Sequence, residues 1–146
     1  MRRILAAIAL LAASVTFGAS PSMAQSNQCY PTEFVVYYQW NINELPPEAE
    51  DTVVAALERA RRSQQQGCRI TTIFITGHVD TSEISIGAGD RLSRARAQTV
   101  ADILIHAGAP RNIVHAEGRP NDQNRPTADN VREPLNRNAA ILIRFN

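Results

Sequence analysis

The sequence predicts an α+β two-layer sandwich: a βαβαβ run plus a closing strand, in a mixed sheet with helices on one face. Three observations carry this. Short β-branched or aromatic runs at 34–38, 70–76 and 139–145 read as strands. Two stretches between them repeat apolar residues at helical spacing. Gly and Pro punctuate the joints.

Phe34 to Tyr38 is the first strand, broken by Asn43-Glu44-Leu45-Pro46-Pro47. Two prolines suit a helix start, where a missing N–H leaves no bond unmade. Val53, Val54, Leu57 and Ala60 then recur on one side, with Glu58, Arg59, Arg61 and Arg62 opposite, and Gly67 stops the helix. Ile70 to Thr76 is a second strand, leaving through Gly77-His78-Val79-Asp80. Thr81 to Gly89 reads as a Gly- and Ser-rich loop. A helix follows from about Asp90 to Ala107, capped by Gly108 with Pro110 beyond. Ile113 to Glu117 is a short strand. Gly118 to Pro134 is a long loop, with or without one short helix, before the closing strand Ala139 to Phe145.

The N-terminus sets the compartment. Arg2 and Arg3 precede an apolar stretch, Ile4 to Ala13, that is short of the roughly 20 residues a spanning helix needs. Ser22 and Ala24 then supply the small residues of a cleavage site, so 1–24 reads as a signal peptide and the chain as exported to the periplasm. Residues 25–33 form a polar lead-in, and 34–146 form one domain. Cys29 is not preceded by the apolar-then-small pattern of a lipoprotein signal. No further segment is apolar enough to span a membrane.

Without Arg2 and Arg3, 13 arginines remain of the 15 basic residues, against 14 Asp plus Glu, a balance near −1. That neutrality argues against nucleic acid or an anionic membrane as partner. Every basic residue is arginine, so any cationic ligand contact must be a guanidinium. Cys29 and Cys68 lie just before the first and second strands, and an oxidising compartment favours a disulfide between them. His78, His106 and His115 share no metal spacing, and no cofactor motif is present. His78, Asp80 and Ser82 or Ser93 could be arranged on paper as a hydrolytic set. No nucleophile elbow accompanies them, so no catalytic residue is assigned.

The position that does not suit its helix is Arg96. At about 100° per residue from Leu92, the residues Thr99, Val100, Ile103 and Ala107 form one apolar stripe, and Arg96 sits at about 40°, inside it. A guanidinium cannot shed its charge, so an inward Arg needs an anion or several acceptors. One candidate set is internal: Asp80, Glu83 or strand-end carbonyls. The other is a ligand. Arg96 is in the second turn, near Asp80 at the carboxyl edge of the sheet, where open α/β sheets bind ligands. An acid and an arginine facing one crevice could read a zwitterion.

Four segments in order resemble the OmpA-like domain family over nearly all of 34–145. They are Val36–Ala49 as the opening strand and helix start, Gly77-His78-Val79-Asp80 as the strand exit, Leu92-Ser93-Arg94-Ala95-Arg96-Ala97, and Val131–Arg137 before the last strand. The resemblance implies non-covalent binding of peptidoglycan through the diaminopimelate of its stem peptide. Asp80 would take the ammonium, Arg96 the carboxylate, Arg137 would help hold the ligand, and backbone groups of His78 and Val79 would complete the cradle. The chain departs from the family at Gln39, usually acidic; at Glu83, usually Gly; at Gly89, usually Asn; and at Asn138 and Ala140. Its loop between Asp80 and Leu92 is one residue longer. Glu83 could itself bind Arg96 and occupy the site. The alternative expectation is an interaction module of the same fold whose altered loop has lost wall binding and which serves an envelope protein complex.

Overall fold

The computed structural model describes residues 29–146; the expected signal peptide (1–24) and the first part of the lead-in lie outside the described residues. The elements are β1 (Thr32–Tyr37), α1 (Pro47–Gln65), β2 (Ile70–Gly77), α2 (Thr81–Ser85), α3 (Gly89–His106), β3 (Val114–Gly118) and β4 (Asn138–Phe145). They form a four-stranded mixed sheet in the order β1-β4-β2-β3. β4 is antiparallel to both neighbours, and β2 and β3 are parallel.

Alternation builds the layers. Val36, Ile73, Ile75, Ala139, Ile141 and Ile143 point to one side of the sheet. There they meet Val53 and Leu57 of α1 and Val100 and Leu104 of α3 in one buried cluster. Each such aliphatic side chain contributes about 1.5–3 kcal/mol of burial. Two glycines let α3 come close to the sheet: a Cβ at Gly77 would overlap the Ser93 carbonyl, and one at Gly118 would strike the Arg94 amide and the Ser93 hydroxyl. That approach carries Arg96 to the end of β2.

One expectation is corrected. Residues 81–89 are not all loop, because Thr81–Ser85 is a helix with Asp80 as its N-cap. The Asp80 carboxylate accepts from the Glu83 amide, and the Glu83 carboxylate accepts from the Asp80 amide, a reciprocal capping box. That box satisfies donors a short helix would otherwise leave open.

β1 and β2 run in the same direction with β4 between them, so their starts lie on one edge. Cys29 and Cys68 join there as a disulfide, their Cα atoms 5.6 Å apart. Closing a 39-residue separation stabilises by roughly 4 kcal/mol on the chain-entropy estimate. Reduction should therefore lower the urea midpoint by roughly 2 M at an m-value near 2 kcal/mol/M. A midpoint unchanged by dithiothreitol would show that the crosslink contributes nothing.

Candidate functional site: a closed ionic cleft

Arg96 is fully buried, as the helix wheel implies. All five of its N–H donors are used. Nη2 and Nη1 grip Glu83 through Oε1 at 2.7 Å and Oε2 at 2.8 Å. Nε donates to the Ile42 carbonyl at 3.0 Å, Nη1 to the His78 carbonyl at 2.9 Å, and Nη2 to the Gln39 carbonyl at 3.1 Å. The pair is a bidentate, charge-assisted contact, the strongest geometry an arginine offers a carboxylate. Glu83 is equally full, accepting also from the Asn41 amide at 2.7 Å and the Asp80 amide at 3.3 Å.

Asp80 also pairs within the chain. Its Oδ2 accepts from Arg137 Nη1 at 2.8 Å; its Oδ1 accepts from the Ser82 hydroxyl at 2.6 Å and the Glu83 amide at 2.9 Å. Arg137 Nε in turn donates to the Tyr38 carbonyl at 3.2 Å. Asp80 is buried, and Arg137 is 8% exposed. The five expected residues do converge at the carboxyl end of β2. His78 supplies a carbonyl to Arg96, while Val79, fully buried, gives its carbonyl to Gln123 at 3.1 Å. All five serve internal bonds.

A turn closes it from above. Gln39, Asn41 and Ile42 present carbonyl, amide and carbonyl to the pair, with Asn41 in the left-handed region at φ 56°. Trp40 beside them donates to the Ser82 hydroxyl at 2.9 Å and is covered by the Arg132 guanidinium 4.0 Å from its ring centre. Below, the Tyr38 ring lies 5.1 Å from the Arg96 guanidinium carbon, and its hydroxyl donates to the Arg96 carbonyl at 3.0 Å. Burial pushes the Tyr38 hydroxyl pKa well above the ordinary range, with the Arg96 charge opposing only in part. The long loop is pinned as well, its Asn136 amide bonding Gln123 and Arg125. That fixes Arg137.

The closing roles of Trp40, Asn41 and Ser82 are not legible in the sequence. No local pattern marks them, because each acts across a long separation in sequence. The Glu83 contact carried a signal: Asp80-x-x-Glu83 is itself a capping-box spacing.

Burial works against ionising Asp80, but hydrogen bonds from Ser82, Arg137 and the Glu83 amide, together with the Arg137 charge, outweigh it and lower its pKa from 3.8. A folded pKa below the unfolded one means stability present above pH about 4 and lost as pH falls through the folded value. Urea midpoints should therefore decline below about pH 4, and Asp80→Asn should be less stable at pH 7 with a flatter acid limb. An acid limb identical in both proteins would remove Asp80 from that account.

Among the described residues, no group of three or more His, Cys, Asp or Glu could hold a metal ion, and no helix is long and apolar enough to cross a membrane.

Known structures share this architecture. The OmpA-like domain of FopA1 from Francisella tularensis aligns at 17% identity and TM-score 0.61, covering 80% of this chain and 76% of that one. The cell wall anchor of the T6SS from Pseudomonas aeruginosa aligns at 21% identity and TM-score 0.62, covering 80% and 82%. The peptidoglycan-associated lipoprotein from Burkholderia pseudomallei aligns at 17% identity and TM-score 0.55, covering 75% and 89%. At these identities the likeness establishes the fold. A search of curated protein sequences finds no match. The OmpA family profile matches residues 37–139, well over half of the chain, from the end of β1 into β4 and across the whole ionic cleft. This chain belongs to the OmpA family.

Proposed function

We propose that this chain is a non-catalytic, exported domain of the cell envelope that keeps the wall-associating OmpA fold, holds its stem-peptide cleft shut with its own Glu83, and serves as a protein-interaction module. The observation that carries this reading is the complete use of the Arg96 donors, two of them by a carboxylate of the same chain. Magnitudes decide between this and an open receptor. A micromolar to millimolar hold on one stem peptide amounts to about 4–8 kcal/mol. Breaking a buried ion pair costs about 3–5 kcal/mol, and that has to be met first. At most about 5 kcal/mol is left, a dissociation constant of roughly 0.1 mM or weaker. The envelope location is supported by the N-terminal pattern, the disulfide and the cell-wall names borne by structural neighbours.

A second reading has its own support. Asp80, Arg96 and Arg137 remain together, and one neighbour is named a peptidoglycan-associated lipoprotein. In that reading the chain binds peptidoglycan through diaminopimelate, Asp80 taking the ammonium and Arg96 the carboxylate, whenever Glu83 leaves Arg96.

Sedimentation with purified sacculi separates the two. The wild type should stay in the supernatant, and Glu83→Gly, which puts back the residue usual in the family, should pellet. Pelleting of the wild type that free diaminopimelate competes away would overturn the closed reading in favour of stem-peptide recognition.

A further inference from the structure

The helices α1 and α3 pack on one side of the sheet, and the other side is a second surface. Its outward residues include two cross-strand rows, Glu33–Leu142–Phe74–His115 and Val35–Ala140–Thr76–Glu117, with Arg144 opposite Thr72 beyond them. Phe74 and Val35 are 37% and 40% exposed, well above what an ordinary strand leaves of such residues when covered. Hollows of about 580 and 280 Å³ flank the Phe74–Leu142 pair and share both residues with Thr76 and Arg119.

The charges around this floor are unequal. Arg119 is neutralised by Glu117 at 2.7 Å and Asp122 at 3.8 Å. Arg144 is not: among the described residues no carboxylate lies within 4.0 Å of it, and its guanidinium carbon rests 5.1 Å from the Phe74 ring centre. An exposed aromatic thus carries an unpaired cation.

Area narrows the occupant. Four strands about 4.8 Å apart and about seven residues long give a face of roughly 450 Å². A stable protein pair buries about 800 Å² on each partner, so two copies back to back would not hold by this face. We infer that the outward sheet face is a docking site for a peptide segment of a partner protein, one bearing a carboxylate for Arg144 between apolar side chains that cover Phe74 and Leu142. This rests on the interaction-module reading and names the surface that module would use. Arg144 would form a charge-assisted contact while its stem and the Phe74 ring lose water.

The test is an NMR titration of the isotope-labelled protein with an acetylated nonapeptide alternating leucine and glutamate, and with its leucine–lysine counterpart. The glutamate peptide should shift amides of 72–76, 115–119 and 140–144 and bind at least tenfold tighter than the lysine peptide. Arg144→Glu should reverse that preference, and Phe74→Ala should weaken the glutamate peptide at least fivefold. Both side chains are exposed enough for the variants to fold. Equal binding of the two peptides, a preference unmoved by Arg144→Glu, or shifts centred on Trp40 and Ser82 would each overturn the proposal. Pelleting of the wild type with sacculi would instead defeat the closed-cleft reading and leave this titration unaltered.

Discussion

Replacing Glu83 with Gly should destabilise the domain by about 3–5 kcal/mol and at the same time create a binding site for small carboxylates. The loss follows from leaving a guanidinium in a fully buried site after its anion is removed. The Asn41 and Asp80 amides lose their acceptor together with it. At roughly 4 °C per kcal/mol for a domain of this length, the midpoint should fall by roughly 10–20 °C. The gain follows from the shape of what is missing, since the vacated place is lined by donors already aimed at two carboxylate oxygens. Acetate or diaminopimelate should enter and restabilise the variant by about 2.7 kcal/mol at 100 times its dissociation constant. The wild type, with no vacant donors on Arg96, should show no such shift. Thermal melts of both proteins across a ligand series are sufficient. A variant as stable as the wild type, or one indifferent to added carboxylate, would mean Glu83 is not the group holding the cleft shut.

Arg96→Met should cost a similar amount, about 3–5 kcal/mol, for the mirror-image reason: Glu83 is then a buried carboxylate without its cation. The informative protein is the double variant with Glu83→Leu. Apolar pairs of similar volume often replace buried ion pairs at little cost, so the second change should restore part of what the first removed. Recovery should be incomplete, because the carbonyls of Gln39, Ile42 and His78 lose their Arg96 donors whichever residue stands at position 83. Since the double variant is then less costly than Arg96→Met alone, the coupling between positions 83 and 96 should exceed the cost of the Glu83→Leu single variant, about 3–5 kcal/mol, read from urea unfolding at constant m-value. Strict additivity would show that the two groups do not act as a unit. If the outward sheet face is the docking surface, peptide binding there should persist in any of these variants that stays folded.

Much of this was legible in the residues. Helical spacing placed Arg96 inside an apolar stripe, and the structure buries it completely. The strand and helix runs fall within a few residues of their expected limits, because alternation and period are local properties that a chain carries in any context. The cysteine pairing was readable from compartment and position, and it forms. The exception among the elements, α2, had a local signal in Asp80-x-x-Glu83, masked by the Gly and Ser around it.

Local pattern thus carried the α+β class, the family resemblance, and an inward cation that needs an anion or several acceptors. Which acid it meets was decided by the tertiary structure. Asp80 and Glu83 are three residues apart, and both reach the same cleft from one capping box. Their partners lie 57 and 13 residues away, on β4's approach and on α3. Only the insertion of β4 between β1 and β2, and the glycine-permitted approach of α3 to the sheet, brings Arg137 to Asp80 and leaves Arg96 to Glu83. A buried charge takes the counter-charge that geometry delivers, and those distances exist only once the chain has folded.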